Sequence, residues 1–201
     1  MSVVINILTD RFSVLASDKR LVKFTYDDSM NIINTDIIDE NVNKIKKINE
    51  NVYIAFAGDP IPLFKAFSAF DGYNTEVLTL ERIKRLYINE LKKQEIYRSI
   101  QVIISGRNKN NLLTTYVISS KNNFEDLCYQ PKENELCRAY LLPSEFGDNN
   151  ENFGEILDSL IFNSLPFDSF NDVKELAQKC VLKIADLDIT VNHNIQLEVI
   201  Q

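Results

Sequence analysis

The hydrophobic pattern of the first sixty residues is that of short β-strands. Apolar, β-branched runs of six or seven residues alternate with turn-forming clusters at residues 27–29 and 58–60, which is typical of strands joined by hairpins. The run that ends at Ala57 is apolar throughout, as expected for a strand covered on both faces. Six strands are predicted, over residues 3–8, 12–17, 21–26, 32–38, 42–48 and 52–57.

Helical periodicity replaces this pattern after residue 60. Leu80, Ile83 and Tyr87 recur at steps of three and four residues. Together with the charged residues between them, they predict an amphipathic helix over residues 79–95. A second helix is predicted over residues 60–70, because proline near its start costs no hydrogen bond in the first turn.

The order of all predicted elements indicates an α+β fold. Two more helices are expected, the second beginning at a cap formed by Ser169 or Asn171. These helices cover residues 151–162 and 172–185, and further strands cover residues 101–105, 112–119, 138–142, 189–191 and 195–200. Elements grouped in runs, not in alternation, favour sheets packed together with helices outside them.

Composition narrows the function classes. The chain has 201 residues with 22 basic and 29 acidic side chains, a net charge of −7. This length predicts a single domain over residues 1–201, and the charge argues against nucleic acid and anionic membranes as partners. One His and three scattered Cys do not make a tetrahedral zinc site without carboxylates. Five Gly form no phosphate-binding motif, so no metal and no cofactor are expected.

Cysteine use and the N-terminal segment predict the compartment. No C-x-x-C spacing occurs, and the first residues lack the basic start of a signal peptide. No apolar run approaches the ~18 residues of a membrane-spanning helix. We therefore expect a cytoplasmic protein with reduced thiols. His193, the one histidine, is expected to be structural or solvent-facing.

Ser2 is the residue that first suggests chemistry. A small residue in second position permits removal of the initiator Met, and Ser2 would then carry a hydroxyl and a free α-amine. The amine has an ordinary pKa of about 7.7–8.0, which suits a general base at neutral pH. Nucleophile and base would thus come from one residue. Many proteins have Ser at this position, so Ser2 alone identifies nothing.

Residues that follow Ser2 carry a family resemblance. Asp18 ends the predicted hairpin in the segment Ala-Ser-Asp, Lys44 lies on a later strand, and Gly58 follows Ala57 at the end of the next one. This arrangement closely resembles the proteasome β-type family and its bacterial relative, the HslV peptidase. The sixteen residues from Ser2 to Asp18 and the fourteen from Lys44 to Gly58 equal the family intervals. Residues 173–193 are also similar to the passage from helix to strand in HslV.

The resemblance implies a fold and a set of roles. The fold would be a four-layer αββα sandwich of two mainly antiparallel sheets, the N-terminal nucleophile (Ntn) hydrolase fold. Ser2 would attack a peptide carbonyl, and Lys44 would lower the pKa of this nucleophile. Asp18 would hold Lys44, and the Gly58 amide would contribute to an oxyanion hole. Asp186 would orient the α-amine.

The resemblance also implies ligands and partners. Asp188 is the less favoured alternative to Asp186. Strand edges at Arg20 and Val22 would bind an extended peptide by strand addition. The chain would associate into rings, act on peptides or unfolded proteins, and cooperate with an ATPase unfoldase.

One region departs from the family pattern. A Gly-Ser-Gly element is replaced by Leu-Leu-Pro-Ser-Glu-Phe-Gly, in which Ser144 is the expected substitute for the family serine. This departure supports an alternative, a catalytically inactive ring subunit or binding protein. A third alternative is an unrelated interaction domain. Asp18 would then only close a hairpin, Lys44 would belong to an exposed face with Lys46 and Lys47, and Gly58 would only end a strand.

Overall fold

The chain adopts a mixed α+β fold, seen in a computed structural model that describes residues 2–29, 32–96, 99–142, 153–165, 167 and 169–201. Within these ranges lie eleven strands and four α-helices. The strands are β1 (Val4–Thr9), β2 (Ser13–Asp18), β3 (Leu21–Tyr26), β4 (Ile32–Asp39), β5 (Ile45–Asn49), β6 (Val52–Gly58), β7 (Ile100–Arg107), β8 (Leu113–Ser119), β9 (Asp126–Tyr129), β10 (Leu136–Leu141) and β11 (Ile195–Ile200). The helices are α1 (Pro60–Lys65), α2 (Leu80–Leu91), α3 (Phe153–Asn163) and α4 (Phe170–Ala185).

The strands form three antiparallel sheets. A four-stranded sheet has the order β10-β1-β2-β11, and a five-stranded sheet has the order β5-β6-β7-β8-β9. The hairpin β3-β4 forms a two-stranded sheet of its own. The four-stranded sheet therefore joins both ends of the chain, because β1 and β11 both flank β2.

Each large sheet packs a helix pair on one face. Alternate residues of β6, including Ile54 and Phe56, form one apolar cluster with Leu63 of α1 and Tyr87 of α2. The four-stranded sheet forms a second cluster with α3 and α4. The period of two along a strand selects which side chains join these clusters.

A third apolar cluster contains the opposite faces of the two large sheets. Val4 and Leu15 come from the four-stranded sheet, and Ala55, Ile103 and others come from the five-stranded sheet. All of these side chains are buried. This cluster lies between the sheets, since it draws on the strand positions that the helices do not cover.

A closed ring of polar side chains lies buried among these apolar residues. The Asn6 side-chain amide donates to the Ser13 hydroxyl at 2.7 Å, and the Thr115 hydroxyl donates to Oδ1 of Asn6 at 2.8 Å. Ser105 completes the ring through hydroxyl contacts of 2.9 Å to Ser13 and 2.8 Å to Thr115. Two of these bonds cross from the four-stranded sheet to the five-stranded sheet, so they fix how the sheets lie against each other.

Several predicted elements need correction. The strand predicted at residues 42–48 begins only at Ile45, and the helix predicted to reach residue 95 ends at Leu91. The predicted helix 60–70 divides into α1 and a 3₁₀ helix at Ala66–Phe70. Residues 189–191 are not a strand but part of a turn stabilised by Asp188. Ser169 caps α4 in a capping box with Asp172, which decides between the two predicted caps.

Candidate functional site

A buried ion pair joins the end of β2 to the segment before β5. The ammonium Nζ of Lys44 lies 2.7 Å from both Oδ1 and Oδ2 of Asp18. The Asp18 side chain is fully buried, and that of Lys44 is 3% exposed. Two charges so far from water are stable only with close geometry and with further hydrogen bonds to the carboxylate.

The Asp18 carboxylate also holds the start of β1. Its Oδ1 accepts a hydrogen bond from the Val3 amide and its Oδ2 accepts one from the Arg20 amide, each at 3.0 Å. Ser2 immediately precedes Val3 and is 8% exposed. The structure therefore brings three predicted site residues, Ser2, Asp18 and Lys44, to the N-terminal end of β1.

The electrostatics of Lys44 follow from this environment. Burial lowers the pKa of the Lys44 ammonium, because the charged form loses its hydration. The Asp18 carboxylate opposes this change, and the nearby charge of Arg20 adds to it. Lys44 is thus more easily deprotonated than a surface lysine, and it can stabilise negative charge that develops beside it.

Gly58 ends β6 in a conformation that glycine alone adopts without strain. Its φ is +110°, and a Cβ atom at this position would lie 2.3 Å from the backbone oxygen of Ser99. The Phe56 amide donates to the Lys44 carbonyl at 3.1 Å, which ties β6 to the segment of the ion pair. Gly58 lies two residues beyond that contact. The backbone at Ser99 and Ile100, where β7 begins, leaves no room for a side chain at this position.

Arg20 is held on both sides by its own chain. Its guanidinium pairs with Glu40 through two contacts of 3.1 Å and also donates to the Ile189 carbonyl. The Glu40 carboxylate accepts a further bond from Asn192 at 2.5 Å. The bond from Arg20, and then that from Asn192, lowers the pKa of Glu40. A role of Arg20 and of Val22, which lies half-buried on β3, in binding peptide stays a prediction.

The two candidate acids after α4 occupy different environments. Asp186 is 63% exposed and pairs with Nε2 of His193 at 2.9 Å. Asp188 is 6% exposed, and its Oδ1 accepts bonds from the Thr190 amide at 2.7 Å and hydroxyl at 2.6 Å. Its Oδ2 is buried with no hydrogen-bond partner among the described residues. The structure thus places Asp186 in a surface pair and gives the buried, incompletely bonded position to Asp188.

The loop that contains Asp188 is fastened to the ion-pair region. The Lys19 amide donates to Oδ1 of Asn192 at 3.0 Å, and the Asn192 amide group donates to the Glu40 carbonyl at 3.0 Å. Ser17, next to Asp18, is also buried, and its hydroxyl has no partner in the described part of the chain. Sequence reasoning missed Glu40, Asn192 and Ser17.

A signal existed for one part of this loop. Asp often forms a turn in which its side chain accepts a hydrogen bond from the backbone two residues on, and Asp188 accepts such a bond from the Thr190 amide. Nothing comparable marked Glu40, whose partners come from distant segments. Ser144 lies outside the described residues, so its expected role stays a prediction.

Comparisons with known proteins add no assignment. Neither a scan of protein-family models nor a search of curated proteins finds a match to this chain. Within the described ranges, no group of three or more His, Cys, Asp or Glu side chains could hold a metal ion. Among the helices described, none is both long and apolar enough to cross a membrane.

Proposed function

We propose that this chain is an N-terminal-nucleophile amide hydrolase of the proteasome and HslV type, with Ser2 as nucleophile. One observation carries the proposal. The buried carboxylate of Asp18 binds both the Lys44 ammonium and the Val3 amide, so an acid and a lysine flank the residue that follows Ser2. A buried charge pair is costly to retain for stability alone, and such pairs are frequent at functional sites.

The arrangement of the apolar clusters supports the same fold type. The clusters run from α1 and α2 through the five-stranded sheet, across to the four-stranded sheet, and on to α3 and α4. In our proposal these four groups are the layers of an αββα sandwich. The hairpin β3-β4 is then an insertion between Asp18, at the end of β2, and Lys44, in the segment before β5.

The proposed reaction is acyl transfer to serine followed by hydrolysis. The Ser2 hydroxyl oxygen attacks a peptide carbonyl, while the Ser2 α-amine accepts the hydroxyl proton and later delivers it to the leaving amine. Water then hydrolyses the ester. Lys44 stabilises the developing charge, Asp18 positions Lys44, and the Gly58 amide serves the oxyanion. Asp188 replaces Asp186 as the proposed acid that orients the amine, because its buried Oδ2 lacks a partner among the described residues.

The partners follow from the same proposal. Substrates would be peptides or unfolded proteins that bind as an added strand. Copies of the chain would close into a ring through head-to-tail contacts, and an ATPase unfoldase would deliver substrate. A cytoplasmic location agrees with these partners.

Labelling of Ser2 tests the proposal directly. Natively expressed protein should have lost Met1 by intact mass, and an acyl electrophile should add one equivalent at Ser2. Peptide hydrolysis should disappear in Ser2→Ala and in Lys44→Ala. Lys47→Ala is the matched control, since Lys47 is an exposed lysine of the adjacent strand paired with Glu50. Labelling that persists in Ser2→Ala would refute the proposed nucleophile.

A second candidate is a non-catalytic ring subunit or binding protein. It is favoured by the low exposure of Ser2, 8%, because a nucleophile must reach its substrate. This candidate predicts retained Met1, no labelling of Ser2 and no turnover in any variant. Hydrolysis that disappears with Lys44→Ala but not with Lys47→Ala would exclude it.

A further inference from the structure

The strand β4 has a self-complementary sequence. Residues 32–38 read Ile-Ile-Asn-Thr-Asp-Ile-Ile. The run is symmetric about Thr35 when Asn34 and Asp36, which share size and shape, are treated as equivalent. In the described part of the chain β4 pairs with β3 alone, so its other edge has no strand beside it.

The exposed surface of β4 is unusually apolar for such an edge. Ile33, Ile37 and Ile38 are 64%, 49% and 56% exposed. Natural edge strands are usually protected by Lys, Pro or a bulge that twists them away. β4 has two register shifts against β3, at Ile33 and Ile38, but it contains no Lys and no Pro. A two-stranded hairpin is also marginally stable alone in water. The hairpin therefore has the surface of an element that is covered in use.

We propose that β4 pairs with β4 of a second copy of this chain, antiparallel and centred on Thr35. The two hairpins then form one four-stranded sheet across a two-fold axis. In this register each Ile33 faces an Ile37, each Asn34 faces an Asp36, and the two copies of Thr35 face each other. Ile–Ile, Asn–Asp and Thr–Thr are all favourable pairs across antiparallel strands.

The polar pair selects this register. Within one chain Asn34 already donates to Oδ1 of Asp36 at 2.8 Å. A side-chain amide has two N–H donors, so the second donor can reach Asp36 of the other copy. Moving the centre of pairing to Asp36 would place two carboxylates face to face, which is destabilising.

The symmetry of the sequence favours a second copy over another protein as the occupant. An interface on a two-fold axis must be complementary to itself, and a run symmetric about one residue meets that condition on both faces of the strand. The interface goes beyond the proposed hydrolase and does not depend on it. Ring closure uses head-to-tail contacts, so a two-fold pairing would join two single chains or two rings.

Cysteine cross-linking tests the position of the axis. In the full chain with Cys128→Ser and Cys137→Ser, the variant Thr35→Cys should form a disulfide-linked dimer under mild oxidation. Antiparallel neighbours have Cα distances of about 4.5–5.5 Å, within the range that a disulfide spans. Thr25→Cys is the matched control, because Thr25 is also exposed but lies on β3, opposite Asn34 of its own chain. Equal cross-linking of both variants would overturn the proposal.

Charge substitution tests the register. By sedimentation equilibrium, the wild-type chain should dimerise, and Asn34→Asp should weaken the dimer about tenfold, since it creates two like-charge pairs. Asn34→Lys should strengthen the dimer by a similar factor. A chain that is monomeric at every concentration, or whose dimer ignores both substitutions, would overturn the pairing. These readouts do not involve Ser2, so they separate failure of the interface from failure of the proposed hydrolase.

Discussion

Removing the negative partner of the buried ion pair should make stability depend strongly on pH. In Asp18→Asn the Lys44 ammonium would be buried with no counter-charge, so it becomes neutral in the folded state. Removing a proton at pH 7 from a lysine with an ordinary pKa of about 10.4 costs up to about 5 kcal/mol, at 1.36 kcal/mol per pKa unit. Asp18→Asn should therefore lose most of the stability of an ordinary domain at pH 7.

The sign of the pH effect follows from proton counting. In the variant the unfolded chain binds a proton at Lys44 that the folded chain lacks, so the free energy of unfolding rises with pH. The rise should be about 1.4 kcal/mol per pH unit up to the ordinary lysine pKa. The reference is the double variant Asp18→Asn/Lys44→Met, in which the contacts with Val3 and Arg20 change in the same way but no lysine is buried.

Urea unfolding followed by circular dichroism at pH 7 and pH 9 measures this difference. The double variant should be more stable than Asp18→Asn at pH 7, and the gap should narrow by about 2.7 kcal/mol at pH 9. A gap under about 1 kcal/mol at pH 7, or one that stays constant with pH, would show that Lys44 is solvated and that the ion pair is not buried as described.

Two other predictions concern single side chains. Gly58→Ala should destabilise the fold by about 3 kcal/mol or more, since strain at positive φ adds to the clash with Ser99. Gly72→Ala should cost only about 1 kcal/mol, because Gly72 has a φ of +80° but no atom within 4 Å of the added Cβ. Thermal unfolding of the two variants measures this difference. In the folded protein the pKa of Glu40 lies below its ordinary value of 4.5. The ionised carboxylate therefore stabilises the fold above pH 4.5, and this stabilisation is lost as the pH falls through the folded-state pKa. The difference in melting temperature between wild type and Glu40→Gln should therefore shrink on acidification from pH 7 to below pH 4, and a difference independent of pH would contradict the role of the Arg20 contact.

Much of the fold could be predicted because local pattern and tertiary packing agree. The apolar run before Gly58 became β6, buried between two clusters. The spacing of Leu80, Ile83 and Tyr87 became the buried face of α2. In both elements the period of the side chains alone determines which of them pack into a core.

The candidate site was less predictable because its decisive contacts are long-range. Asp18 and Lys44 meet across 26 residues of sequence, and spacing could suggest this pair only through a family resemblance. The choice between Asp186 and Asp188 depends on which way a turn faces, and both acids have similar neighbours in sequence. Tertiary packing buried the second and left the first in solvent.

The polar ring between the two large sheets has a consequence for motion. Sliding one sheet over the other would break the two cross-sheet bonds, Ser13–Ser105 and Thr115–Asn6, while the bonds within each sheet remain. Each polar group that loses its partner away from water costs about 1–3 kcal/mol. These bonds therefore oppose shear between the sheets. Hydrogen exchange should be slowest at the amides of these four residues. If the proposed hydrolase function holds, substrate would reach the end of β1 by loop displacement, with the two sheets moving as one body.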